Sequence, residues 1–369
     1  MKSLLELMNE VYHGLNLDDS QVKYKREKIK GLEDFISDDR ACADIIRYQL
    51  NADFVSFPDK RDEVYEIAQG RARHSLINYL LGLVFKPFGN LFSLFNTLIN
   101  EVDENESERL WLLTAIYHDI GYFQKAVLDS SFDYRDNYKN YLYSDPSEEE
   151  SWLYDFQIKY PRSFAYTYLE IEEYDVYNRK QRLNWKAIEK VNHGILGGAY
   201  IFDKSMQKLE KHKSKSRKEI LINKAFSLTI GQHNIFKSDR VEDDNELPEI
   251  LKTKLASTSP FKIGETTPLL FFLCLVDTIE CTKKFSKKEN DKHSLQTLTV
   301  LKRIGAEISE TSIEIDLSNL REYILTRPDG EILLEVLEGY KKSILGLGAW
   351  TSFSVMEKNG DSFVIERAS

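Results

Sequence analysis

The stretch LLTAIYHDIGYF, residues 112–123, constrains this chain more than any other: an apolar helical run ends in a histidine and an aspartate side by side. A run of this kind is stable only when buried, and a buried carboxylate is costly unless a positive group holds it. Asp119 therefore needs a partner brought from elsewhere in the chain. The run leading to it predicts a helix over 108–117, because Leu110, Trp111, Leu113, Ala115 and Ile116 leave no side fit to face water.

The same oddity recurs along the sequence. Of seven histidines, His74 in RARHSLINYLLGLVF, His118, His193 in VNHGILGGAYIF and His233 in IGQHNIF all sit in apolar, helix-compatible surroundings, whereas His13, His212 and His293 are among polar residues. Asp277 interrupts LLFFLCLVDTIECTKKF, a predicted buried helix that Thr266 or Thr267 caps and Pro268 opens. Read singly, each residue has an ordinary explanation. His74 would be a hydrogen-bonded core histidine, and Asp277 would pair with Lys283, Lys284 or an arginine. Glu280, one turn from Asp277, would either orient a neighbouring ligand or form a surface ion pair with Lys284.

Read together, His74, His118, His193, His233, Asp119 and Asp277 form one donor set. Neutral imidazoles with carboxylates suit first-row divalent ions, namely manganese, iron, nickel, cobalt or zinc, with magnesium compatible. These donors exceed what one ion open to water and substrate requires, so two ions bridged by Asp119 are expected. Gly194, Gly197 and Gly198 are expected to let helices approach closely around His193.

Composition narrows the setting. The 369 residues carry a net charge of −10, with a pI near 5.4, so nucleic acid would need a local basic patch. The one concentrated basic stretch is KLEKHKSKSRKE, residues 208–219, which lacks aromatics for stacking bases. Single-stranded nucleic acid is accordingly a less favoured partner. The opening MKSLLELMNEVYHGLNL has no signal-peptide core, and the longest apolar run, residues 269–276, is too short to span a bilayer. With only Cys42, Cys274 and Cys281, a cytoplasmic chain without membrane contact is expected.

Two stretches depart from the helical grammar. Residues 124–190 form a long polar insertion containing SDPSEEESWLYDF, read as a decorated excursion rather than a lid. Beyond residue 300, SIEIDL alternates as a strand, EILLEVLEGYKKSIL is helical, and FSVMEKNGDSFVI places Asn359-Gly360 between two alternating runs. The expected organisation is a mainly α domain over 1–300 with that insertion, followed by a small α/β appendage of β-α-β-β type over 301–369.

The order H…HD…H…H…D, centred on His118-Asp119, resembles the HD superfamily of metal-dependent phosphohydrolases over roughly residues 65–285. The resemblance implies an all-α bundle with ligands from different helices. His74, His118, Asp119 and Asp277 would bind a first ion, and Asp119, His193 and His233 a second. It also implies hydrolysis of a nucleotide or phosphodiester by metal-activated water, with Arg71, Arg73 and Lys125 as candidate phosphate contacts. Two departures bear on substrate. Many phosphodiesterase members have HDIGK where this chain has Tyr122, and Lys125 would have to substitute for that lysine. Arg71 to Leu76 resembles the R-x-x-H-S-L of deoxynucleoside triphosphohydrolases, a one-ion alternative. A further alternative is a non-catalytic module that senses a nucleotide.

Overall fold

The computed structural model of the chain describes residues 1–14, 31–37, 42, 62–90, 104–121, 193–194, 197–198, 201, 226, 229–231, 233, 268–285, 295–350 and 353–367. These are mostly helical, with one small antiparallel sheet. The chain folds as two compact units, Met1–Ile116 with Lys262–Ser369, and Tyr117–Phe261. The insertion at 124–190, Tyr122, Lys125 and the basic stretch 208–219 lie outside the described residues.

In the first unit, helices α1 (Leu4–Gly14), α2 (Leu32–Ser37), α3 (Asp62–Phe85), α4 (Glu104–Tyr117, as far as Ile116 in this unit), α5 (Pro268–Ile279), α6 (Thr282–Phe285) and α7 (Thr297–Arg303) precede the strand region. The predicted helix over 108–117 is α4, one turn longer at its start. Proline opens α5, where its missing N–H costs nothing. Every residue from Leu269 to Val276 is buried, as a helix without a polar face requires.

Trp111 ties three helices together around that core. Its indole edge meets Phe272 of α5 at 4.7 Å, and its Nε1 donates to the Tyr79 carbonyl of α3 at 3.1 Å. Gly82 of α3 makes this approach tolerable, since a Cβ there would overlap the indole. Ser75 Oγ donates to the Ile116 carbonyl at 3.3 Å, a second link between α3 and α4. The faces of α3 and α5 that carry His74 and Asp277 are thereby held in fixed register.

The five-stranded sheet has the order β1-β2-β3-β5-β4, all antiparallel, from β1 (Lys2–Ser3), β2 (Gly305–Ile308), β3 (Ser312–Asp316), β4 (Phe353–Glu357) and β5 (Ser362–Arg367). The expected strand over SIEIDL is β3, with Ile313 and Ile315 buried on one face opposite Ile365 and Phe363 of β5. Asn359-Gly360 turns β4 into β5, and Gly360 takes the left-handed φ of +70°. Two strands enlarge the expected β-α-β-β pattern: β2, which follows α7 directly, and the two-residue β1, which pairs Lys2 with Ala306. Strand β1 comes from the other end of the chain, so the sheet is not confined to 301–369.

Helix α8 (Ser318–Leu325) and helix α9 (Gly330–Trp350) lie between β3 and β4. Leu333, Leu337, Tyr340, Ile344 and Leu347 recur at alternate spacings of four and three and are all buried, the stripe of a core-facing helix. Burying each contributes roughly 1.5–3 kcal/mol. Tyr340 also donates its hydroxyl to the Ile279 carbonyl at 2.8 Å, satisfying a backbone group left over where α5 ends. Phe271 of α5 stacks on Phe353 of β4 at 4.1 Å. Helix α9 thus braces the end of α5 from which Asp277 projects, and the sheet braces its first turn.

In the second unit, Tyr117 meets Phe226 edge-on at 6.2 Å, and His118 and Asp119 form the turn that follows α4. The expectation of close helix approach holds at Gly197, where a Cβ would crowd Ile120 and the Gly121 backbone. Gly121 matters as much: a Cβ there would overlap the His193 carbonyl oxygen. His193 is thus brought against the His118-Asp119 turn by backbone contact.

Candidate metal centre

Buried histidine and aspartate donors gather in each unit. In the first, His74 of α3 and Asp277 of α5 meet, with His74 Nε2 3.1 Å from Asp277 Oδ1. Asn78, one turn along α3 and fully buried, places Nδ2 3.1 Å from His74 Nε2 and 3.4 Å from Asp277 Oδ1. His74 Nδ1 lies 2.6 Å from Glu280 Oε2. Glu280 is 3% exposed, and its other oxygen accepts the Thr282 hydroxyl and, at 3.1 Å, the Thr282 N–H. Of the two sequence readings of Glu280, the orienting geometry is the one observed. Lys284, the partner in the alternative reading, donates to Ser343 Oγ at 2.7 Å.

In the second unit, Asp119 is 5% exposed and three imidazoles face it. His193 Nε2 lies 3.3 Å and His233 Nε2 3.9 Å from Asp119 Oδ1, while His118 Nε2 lies 3.6 Å from Oδ2. The His233 ring meets those of His118 and His193 edge-on, at 5.3 and 5.2 Å. Donor atoms of Asp119, His193 and His233 all fall within 4.8 Å of one another, a group able to hold a metal ion.

The chemistry of these donors fits a cation. His233 Nδ1 lies 2.6 Å from the Ile230 carbonyl, an atom that can only accept, so this nitrogen carries the proton. In the neutral ring Nε2 then presents a lone pair, and it presents it toward the carboxylate of Asp119. Two electron-rich atoms set face to face in a buried site repel unless a proton or a cation lies between them. A divalent ion satisfies both and draws on the remaining imidazoles as further neutral donors. At His74 of the first unit, Nδ1 faces Glu280 and Nε2 faces Asp277, with the Asn78 amide within hydrogen-bond distance of Nε2 and of Asp277.

Of the other sequence candidates, Arg73 is half-buried on α3, one residue before His74. Arg71 lies in the same helix. Asn78 and Thr282 were not among the sequence candidates. Asn78 carried a signal, since its spacing of four from His74 puts both on one helix face. Thr282 carried none, because its role depends on how the chain turns after α5. The chain matches no family model, no curated protein and no solved structure.

Proposed function

We propose that the chain is a metal-dependent phosphohydrolase of HD type, acting on a nucleotide or a phosphodiester. The observation that carries this reading is Asp119, one buried carboxylate faced by three imidazoles, with His233 held through Nδ1 by the Ile230 carbonyl so that Nε2 is the atom turned toward it. Asp119, His193 and His233 would hold one ion. His74, His118 and Asp277 would hold the other, with Asp119 shared as the bridge. When bound, such ions supply Lewis acidity at phosphorus and activate water near neutral pH.

The chain's own groups perform the remaining tasks. Asp119 and Asp277 offset the positive charge of the ions, and the imidazoles donate without adding charge. Burial keeps bulk water from competing for the donors and strengthens each electrostatic contact with an anionic substrate. Arg73, beside His74 on α3, and Lys125 are proposed contacts to the non-bridging phosphate oxygens. Two donor sets favour the two-ion reading over a one-ion triphosphohydrolase, which does not require His193 and His233 in the same roles.

The test is turnover of a panel of nucleotides, cyclic nucleotides and single-stranded oligonucleotides with added manganese, nickel, cobalt or iron. Hydrolysis abolished by EDTA is expected. Bound metal without turnover of any member would favour a nucleotide-sensing module instead. Replacing Lys211, Lys213, Lys215 and Arg217 with Gln separates substrate classes, because a polyanion grip depends steeply on salt and on basic residues. Small-nucleotide hydrolysis should survive that change; selective loss of oligonucleotide cleavage would make nucleic acid the substrate.

A further inference from the structure

We infer that Glu280 is a positioning residue, which with Thr282 fixes His74 as an Nε2 donor directed at Asp277. The inference rests on the metal-centre reading above and concerns a residue outside its ligand set. A histidine that binds an ion through one nitrogen must carry its proton on the other, and the partner of that proton sets both tautomer and ring orientation. At His74 the only arrangement compatible with a ligand at Asp277 puts the proton on Nδ1. Glu280 Oε2, 2.6 Å away, is an acceptor at that nitrogen.

Glu280 is itself held in place. It follows the last residue of α5, and its backbone N–H still donates to the Val276 carbonyl at 2.8 Å. The break between α5 and α6 turns its side chain inward, where one oxygen serves His74 and the other accepts both the hydroxyl and the N–H of Thr282. A carboxylate has acceptor capacity for all three donors, whereas a carboxamide has one oxygen and cannot serve both sides. Glu280→Gln therefore keeps the volume and loses one of the two connections. Thr282→Val removes the hydroxyl but leaves the N–H.

The experiment measures metal affinity by chelator competition and His74 tautomer by 15N NMR, on the full-length wild type, Glu280→Gln and Thr282→Val. Carboxylate partners of metal-bound histidines are worth roughly 10–100-fold in affinity. Glu280→Gln should weaken one ion by that factor and leave the ion at Asp119, His193 and His233 in place, with unchanged circular dichroism. Thr282→Val should weaken the same ion by less, and Thr282→Ser should restore it. In the metal-free wild type the His74 proton should report on Nδ1, a signature that Glu280→Gln disturbs. Equal affinities and an unaltered tautomer in Glu280→Gln would overturn the role of Glu280 while the metal reading stands. A wild type that takes up no ion would overturn both.

Discussion

Two regions of the molecule gather carboxylates and surround them with different kinds of partner. At the junction of α8, α9 and the β4-β5 turn, Asp361 and Glu338 meet the permanently charged Arg321 and Lys341: Arg321 Nε donates to Asp361 at 2.9 Å, Arg321 also pairs with Glu338, and Lys341 reaches both acids at 3.3 to 3.4 Å. Around Asp119 the carboxylate instead faces His118, His193 and His233, and around Asp277 it faces His74 and Asn78. The first region balances its charge with its own side chains. In the second, the neighbours are imidazoles and an amide, none of them permanently charged, and the grouped donors could hold a metal ion.

The sharpest way to break this contrast is Asp119→Ala. If Asp119 is the shared ligand, both ions should be lost and metal-dependent turnover abolished, whereas His193→Ala or His233→Ala should release mainly one ion. Metal content and hydrolysis measured on the same preparations decide it; two ions retained in Asp119→Ala would remove the bridge.

Chelation gives the next largest effect. A ligand present at one hundred times its dissociation constant stabilises the folded state by about 2.7 kcal/mol. EDTA should therefore lower the melting temperature of the wild type and of Arg321→Met alike, and leave Asp119→Ala unmoved. A chelator response that survives in Asp119→Ala would show that the stabilising ion sits elsewhere.

Alkaline stability tests the bracing of α5 without reference to metal. Burial, followed by the Glu280 carboxylate, pushes the Cys281 thiol above its ordinary value of 9.0, and burial, followed by Cys281, pushes the Tyr340 phenol well above 10.0. Burial and then Glu108 raise Tyr79 to about 12. These acids stay neutral in the folded protein while their unfolded counterparts ionise. Their stabilisation is complete below the unfolded values and is lost as pH rises above them toward the folded values. Stability should thus fall progressively above about pH 9. Tyr340→Phe, which deletes the bond to the Ile279 carbonyl, should cost about 1 kcal/mol at neutral pH and lose less on raising pH. An identical alkaline decline in Tyr340→Phe would exclude that phenol as a contributor.

The smallest effect belongs to the charge-balanced region. Arg321→Met should change stability by about 1 kcal/mol or less, because its pairs are partly open to solvent and Lys341 still reaches both acids. A loss several times larger, by denaturant titration, would mean that this network is as dependent on each member as the Asp119 cluster.

What the sequence disclosed follows from the range of the forces involved. Helix α5, the buried alternation of β3 and the Asn359-Gly360 turn are local patterns, and each appears where periodicity and turn chemistry put it. Strand β1 was invisible because two residues carry no period, and it exists only by pairing with Gly305 and Ala306 from the other end of the chain. Strand β2, in GAEI, is too short and too mixed to announce itself. All six donors stood out because histidine and aspartate are rarely placed in apolar runs: His118, Asp119, His193 and His233 are neighbours in the second unit, and His74 and Asp277 meet in the first. For Glu280 the sequence left two readings open, and the one that pairs it with Lys284 assumes a continuous helix, whereas α5 ends at Ile279. Its inward turn is a property of the break, which no periodicity encodes.

The most direct measurement is the metal content of the wild-type chain purified without chelator, by elemental analysis against protein concentration. Two first-row divalent ions per chain are expected, released by EDTA and recovered on adding manganese or cobalt. A chain that carries no such ion and takes none up would contradict the claim that a cation completes the charge around Asp119.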